Sequence, residues 1–205
     1  FGNPSLSEEL AIRIGPERIW GAREFFLAKS NEQLARHHRY NDTAFNLEPH
    51  IKEGPGGLRD IHTITWIAQR YFGSRNLDSL IKHGFLSDDE CRMLIRGRNL
   101  LWKIRNALHF LSERCEDRLL FDYQREIALE FGYKDDQRSL AVEKFMKRYY
   151  RTVKEQRFLS DLLLQYFQHE ILSRHQKLVV DLNRRFRAVD GLIEAKHSKV
   201  FERQP

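Results

Sequence analysis

The sequence predicts an all-α fold, a helical bundle of long antiparallel helices, with a possible small C-terminal β-hairpin. Three observations carry that expectation. The five prolines of the 205 residues all fall outside the long periodic segments, so nothing inside those segments breaks a helix. Leu, Arg, Glu and Lys, all good helix formers, are abundant. Apolar residues also recur at three- and four-residue steps over most of the chain. A hydrophobic content of 41% is ample for a core, whether in one large domain or two small ones, and one main body is expected. The chain contains no internal repeat and no low-complexity tract.

Residues 1–16 read as a residual N-terminal linker with a short helix at 5–13. Pro16 suits the first turn of a long helix over residues 17–40, in which Ile19, Trp20, Phe25, Phe26, Leu34 and Tyr40 recur at helical spacing. Lys29, Glu32, Arg36 and His37 form a charged line on that helix, which predicts a solvent-facing side, with a ligand-facing role as the alternative. A helix over 58–72 carries Ile61, Ile64, Trp66, Ile67, Ala68 and Tyr71, and Gly73 is its stop signal. A helical turn over 77–82 leads to Gly84.

Ser87-Asp88-Asp89-Glu90 is a capping box and starts a helix running to about residue 113. Its stripe, Leu94, Leu101, Ile104, Leu108 and Leu111 with Trp102 beside it, is that of a bundle helix. Asp122 is the expected cap of a helix ending near Gly132. The longest element, 140–172, presents Val142, Phe145, Met146, Tyr149, Val153, Leu159, Leu163, Tyr166, Phe167 and Ile171 on one broad face; helical spacing assigns these aromatics to a core, not to a base-stacking platform. Residues 17–173 thus make the bundle. Residues 174–205 form a C-terminal extension, expected to lead to a missing downstream domain, with a hairpin around the Asp190-Gly191 turn.

One stretch breaks the helical pattern. Leu47-Glu48-Pro49-His50-Ile51-Lys52-Glu53-Gly54-Pro55-Gly56-Gly57-Leu58-Arg59-Asp60-Ile61 packs three glycines and two prolines between two helical segments. The glycines permit positive φ or close backbone approach, while the prolines stiffen the turn. It ends in the first turn of a helix, whose free N–H groups and positive dipole end would lie beside Lys52 and Arg59.

Charge and motifs exclude several function classes. The formal charge of +6 comes from 35 basic and 29 acidic residues interspersed, so there is no basic tail. A nucleic-acid binder would gather its cations on one face with exposed aromatics, and none is expected as a partner. No run of about 18 uncharged apolar residues occurs, so neither a membrane partner nor a membrane location is expected. Cys91 and Cys115 lie in helical segments without metal or redox spacing, which fits reduced thiols and a cytoplasmic location. Cys-x-x-Cys, His-Glu-x-x-His, Gly-x-Ser-x-Gly, P-loop and GxGxxG patterns are all missing, and none of the nine histidines is followed by aspartate. Gly73-Ser74, followed after thirteen residues by Asp88-Asp89-Glu90, mimics a nucleotidyltransferase metal motif. In that motif alternate carboxylates share one face of a strand, whereas here a helix cap explains the same acids.

The stretch at 47–61 resembles the signature of the bacterial bifunctional uridylyltransferase/uridylyl-removing enzymes that modify the nitrogen-signalling protein PII. A looser form, with Gly-Gly-Ile-Arg-Glu, occurs in glutamine synthetase adenylyltransferase. Leu101-Trp102-Lys103-Ile104-Arg105-Asn106-Ala107-Leu108-His109, Glu116-Asp117-Arg118-Leu119-Leu120-Phe121 and Glu143-Lys144-Phe145-Met146-Lys147-Arg148-Tyr149-Tyr150-Arg151 resemble the same family, in the expected order.

The resemblance implies a helical segment between a nucleotidyltransferase domain and a histidine-aspartate hydrolase domain, both partners in the same chain. It further implies transfer of UMP from UTP to a tyrosine of PII, with Mg²⁺ in the full-length enzyme and no cofactor held tightly by this segment. UTP and PII are the implied partners. No catalytic residue and no metal ligand is assigned within the chain. Lys52, Gly54, Gly56, Gly57, Arg59 and Asp60 become the candidate nucleotide- or substrate-binding residues, with the Gly56-Gly57 N–H groups and the charges of Lys52 and Arg59 facing phosphates, and Asp60 either steering Arg59 or simply favouring the helix start from its first turn. The alternative is that Lys52, Glu53, Arg59 and Asp60 form interdomain salt bridges and the glycines only make the turn. Arg105, Asn106 and His109 share a helix face and are expected to form buried hydrogen bonds. Arg118 is expected to pair with Glu116, Asp117 or a neighbouring helix.

Overall fold

The computed structural model describes residues 3–15, 18–73, 77–172, 179–189, 192–197 and 200. Its helices are α1 (Pro4–Arg13), α2 (Ala22–Arg39), α3 (Leu58–Phe72), α4 (Asp78–Lys82), α5 (Asp88–Ser112), α6 (Phe121–Glu130) and α7 (Ala141–Leu172). The strands β1 (Val179–Asp181), β2 (Phe186–Val189) and β3 (Leu192–Ala195) follow. The axis of the bundle is α7, whose 32 residues extend about 48 Å at 1.5 Å per residue. Helices α2, α3, α5 and α6 all pack against it.

Apolar periodicity from residue 58 onward translates directly into burial. Phe145, Met146, Tyr149, Val153, Leu159, Leu163, Phe167 and Ile171 line the inner side of α7, opposite Leu94, Leu101, Ile104 and Leu108 of α5 and Ile61, Ile64 and Ile67 of α3. Phe72, Phe85 and Phe167 close one end of this core with ring centroids 4.8 to 5.9 Å apart. Trp102 departs from the α5 stripe and stands partly exposed on another face. Gly73 ends α3 at φ 71°, the left-handed cap expected of it.

The capping box at α5 is complete. The Glu90 N–H donates to Ser87 Oγ at 3.3 Å, and the Ser87 N–H donates to Glu90 Oε2 at 2.8 Å. Ser87→Ala is therefore expected to cost about 1 kcal/mol in chemical denaturation, the usual loss for an N-cap oxygen. The transferase-like acids Asp88, Asp89 and Glu90 are thus the first turn of a capped helix. Ser74, the other half of that pattern, lies outside the described residues.

Two expectations need correction and one is extended. The first long helix starts at Ala22, not near residue 17: Trp20 has φ 41° and Gly21 is the N-cap, so Ile19 and Trp20 stay outside the helix and exposed. Asp122 lies inside the first turn of α6, whose N-cap is Leu120. The carboxylate at that terminus comes from Glu48, whose Oε1 accepts the Phe121 N–H at 3.1 Å. The expected C-terminal hairpin is present as β2 and β3, with Phe186 opposite Ala195, and β1 extends it to a three-stranded antiparallel sheet in the order β1-β2-β3, with Val179 opposite Val189. Its Asp190-Gly191 turn lies outside the described residues.

Candidate functional site

The irregular stretch folds onto itself and onto three neighbours. Its first half forms an antiparallel bridge between His50 and Arg118. The Ile51 N–H donates to the Asp117 carbonyl at 2.8 Å, and the Leu119 N–H donates to the Pro49 carbonyl at 2.9 Å. Sequence segments nearly seventy residues apart are thereby stitched together. Arg118 takes part through its main chain, and its side chain forms no ion pair among the described residues, contrary to the expected salt bridge.

The second half is a tight internal turn. The N–H groups of Gly54, Gly57, Leu58, Arg59 and Asp60 donate to the carbonyls of His50, Gly54, Ile51, Lys52 and Gly57 at 2.8 to 3.1 Å. The Gly56 N–H donates to Asp60 Oδ2 at 2.7 Å. Gly56 has φ +77°, and a Cβ there would stand 2.2 Å from the Val153 carbonyl oxygen of α7; one on Gly57 would stand 2.6 Å from the Ile51 carbonyl. Glycine at both positions is therefore a packing requirement. Because every one of these donors is engaged within the chain, the expected cradle of backbone N–H groups at Gly56-Gly57 is taken up by the turn itself.

Asp60 is the hub. It is fully buried, and its Oδ1 accepts Arg36 Nη2–H at 2.7 Å and lies 3.0 Å from His37 Nε2. Arg36 is 1% exposed and also donates from Nη1 to the Glu53 carbonyl at 2.8 Å. Two members of the charged line on α2 thus point inward. Their burial overturns the solvent-facing expectation for Arg36 and His37, because a buried carboxylate at the start of α3 requires cationic and N–H partners. Lys29 and Glu32 remain at the surface and pair with each other at 2.6 Å. Asp60 does not steer Arg59; Glu53 does, with its Oε1 3.0 Å from Arg59 Nη2.

The outward side of the turn carries charge and aromatic surface. Lys52 and Arg59 are partly exposed; Lys52 Nζ lies between Glu53 at 3.9 Å and Asp117 at 4.0 Å. Asp117 Oδ1 accepts Arg105 Nε–H at 2.6 Å and lies 2.9 Å from His109 Nε2. Burial opposes the Asp117 charge, but hydrogen bonds from Arg105 and His109 outweigh it and hold the carboxyl below its ordinary range. The expected hydrogen-bonding role of Arg105 and His109 is therefore present, while Asn106 is exposed.

Beside them His62 sits with its ring centroid 5.8 Å from Trp66 and 6.2 Å from Trp102. Lys29, Arg59 and Arg105 lie over these indoles, Lys29 and Arg59 on Trp66 and Arg105 on Trp102, at 5.1 to 5.7 Å. Burial pushes the His62 pKa down, and the charges of Arg59, Lys52, Arg105 and Arg98 reinforce the shift, which favours the neutral imidazole. Trp66 and Trp102 were legible in the sequence only as members of apolar helical patterns, and His62 lies within one of them. Only the exposed side of that pattern, visible once α3 and α5 are packed together, sets them apart.

Cations beside indole rings are chemically suited to anionic and planar partners. Among the described residues no group of three or more His, Cys, Asp or Glu side chains is arranged to hold a metal ion. Among the described residues, too, no helix is long and apolar enough to cross a membrane.

Comparison with known proteins places this geometry. The model of the family described as GlnD PII-uridylyltransferase matches residues 24–164. Bifunctional uridylyltransferase/uridylyl-removing enzymes of Pseudomonas aeruginosa (strain LESB58) and Nitrosococcus oceani are 50% and 47% identical over the whole of this chain. That of Pseudomonas syringae pv. syringae (strain B728a) is 51% identical over 204 residues. The chain spans 23% of the length of each of these relatives. No solved structure matches it. The matched region runs from α2 into α7 and includes the glycine turn, its Asp60 hub and the cationic face, and on that match the chain belongs to the GlnD PII-uridylyltransferase family.

Proposed function

We propose that this chain is the helical segment of an enzyme that transfers UMP from UTP to a tyrosine of PII and removes it again. In this reading Lys52 and Arg59 face the nucleotide phosphates, with Gly54, Gly56, Gly57 and Asp60 as the scaffold that aims them. The observation that carries it is the outward cationic face of the turn, flanked by Trp66 and Trp102. Phosphates suit the guanidinium and ammonium groups, and the indoles suit a base or an aromatic side chain. The nucleotidyltransferase domain that the resemblance places in the same chain would supply the Mg²⁺ ligands, and the metal would neutralise the triphosphate. The histidine-aspartate domain would carry the removing activity, in a cytoplasmic enzyme.

The test is a titration of UTP with Mg²⁺ into the full-length enzyme. Arg59→Ala or Lys52→Ala is expected to weaken UTP binding about tenfold, the equivalent of about 1.4 kcal/mol. Unchanged affinity with the fold intact would sink the phosphate role.

One observation favours a second reading, a docking module for the transferase domain and PII. Glu53 and Asp117 already sit against Lys52, Arg59 and Arg105, so these cations have counter-charges without a nucleotide. That reading expects the 205-residue chain to bind PII or the separated transferase domain and to give no UTP heat in calorimetry. Tight UTP binding by the chain that Lys52→Ala or Arg59→Ala weakens would count against it.

A further inference from the structure

A second cationic surface lies where α5 meets α7, in a cleft of about 480 Å³ that shares no lining residue with the face around the glycine turn. Four of its cations come from one helix. Lys144, Lys147, Arg148 and Arg151 follow one another along α7 at steps of three, one and three residues, which sets them along one side. Arg96 joins them from α5, and Glu155 is the single acidic residue in the lining.

The cations of this cleft are unevenly compensated. Lys144 is held by Asp136 Oδ2 at 2.6 Å and donates to the Lys134 carbonyl at 2.7 Å, while Arg148 reaches the Tyr133 hydroxyl at 3.3 Å. Arg96, Lys147 and Arg151 form no ion pair or side-chain hydrogen bond among the described residues. On the same two helices, outside the cleft, Arg92 is paired with Asp89 at 2.7 Å and Arg157 with Asp161 at 3.7 Å. Like charges three and four residues apart on a helix repel one another, and a concave wall raises their mutual field above that of a convex ridge. A multiply charged anion seated in the cleft removes that repulsion. Guanidinium forks from two facing helices suit phosphoryl oxygens, which they take in pairs. The volume lies within the ordinary range of small-ligand sites.

We propose that this cleft is a binding site for a condensed phosphate, either an inorganic di- or triphosphate or the triphosphate group of a nucleotide. It is independent of the nucleotide role assigned to Lys52 and Arg59. Arg96 and Arg151 are the principal contacts: they approach from opposite helices, and both are exposed, so their replacement leaves the core untouched.

The test is calorimetric titration of the 205-residue chain with inorganic tripolyphosphate at low ionic strength. One saturable site is expected, weakened at least tenfold in the double variant Arg96→Ala/Arg151→Ala. A control that removes the same charge from exposed positions on α2 and α6, Arg23→Ala/Arg125→Ala, is expected to stay within twofold of the parent. Titration of UTP against the same variants separates the sources. A parallel tenfold loss extends the site to nucleotides, and a loss for tripolyphosphate alone restricts it to free condensed phosphate. Absence of saturable tripolyphosphate binding, or equal weakening by both double variants, overturns the proposal.

Discussion

Replacing Asp60 with alanine is expected to destabilise the chain by about 4 kcal/mol, the usual cost of removing one partner of a buried ion pair. The carboxylate is fully buried, and it is the acceptor for Arg36 Nη2, His37 Nε2 and the Gly56 N–H together. Without it the Arg36 guanidinium remains in the core with the Glu53 carbonyl at 2.8 Å and a distant Glu53 carboxylate, 3.8 Å from Nε. The Gly56 N–H loses its acceptor as well. Urea denaturation monitored by circular dichroism reads the effect. The double variant Asp60→Leu/Arg36→Met removes both charges and is expected to be more stable than Asp60→Ala alone, since an unpaired buried charge costs more than a missing pair. A loss below about 1 kcal/mol for Asp60→Ala would show that water or Glu53 can take over the guanidinium, and would remove Asp60 as the hub of the turn.

Gly56→Ala is expected to cost about 3 kcal/mol, from two sources of similar size: a left-handed backbone conformation and a clash with a neighbouring helix. Gly56 has φ +77°, and the added methyl would meet the Val153 carbonyl oxygen at 2.2 Å and its carbon at 2.9 Å. Both are main-chain atoms inside α7, so neither can move aside by changing rotamer. Gly132→Ala separates the two terms, because that glycine has φ +81° with nothing within 4 Å of a built Cβ. It is expected to cost about 1 kcal/mol, from the backbone term alone. Equal losses at the two positions would show that the glycine turn and α7 can part without penalty, against their close approach at Gly56 and Val153.

These two residues also mark where the sequence stops being informative. The core helices were legible because apolar residues at three- and four-residue steps can be satisfied only by burying one stripe, as Leu94, Leu101, Ile104 and Leu108 do on α5. The Ser87–Glu90 box and Gly73 were legible because their chemistry is local: a hydroxyl reaches an N–H three residues away, and a glycine adopts positive φ. The same reasoning failed on α2, whose buried residues are Phe26, Gln33, Arg36 and His37. A helix that buries polar groups carries no apolar stripe, and its inner side is set by a partner, Asp60, 24 positions beyond Arg36.

The glycine turn was recognisable from residues 47–61 by composition and family resemblance. Its chemistry was not, because a free N–H and a hydrogen-bonded N–H look identical in a sequence. Folding assigned the N–H groups of Gly54, Gly56 and Gly57 to acceptors inside the turn and left Lys52 and Arg59 as its outward-facing cations. The family, the helix count from residue 58 onward and the caps at Ser87 and Gly73 follow from short-range pattern alone. The inward charges of α2, the joining of His50 to Arg118 and the indole-lined cationic face depend on pairings across tens of residues. A linear pattern encodes periodicity along one element, whereas the partner that a buried charge needs is specified only when two elements meet.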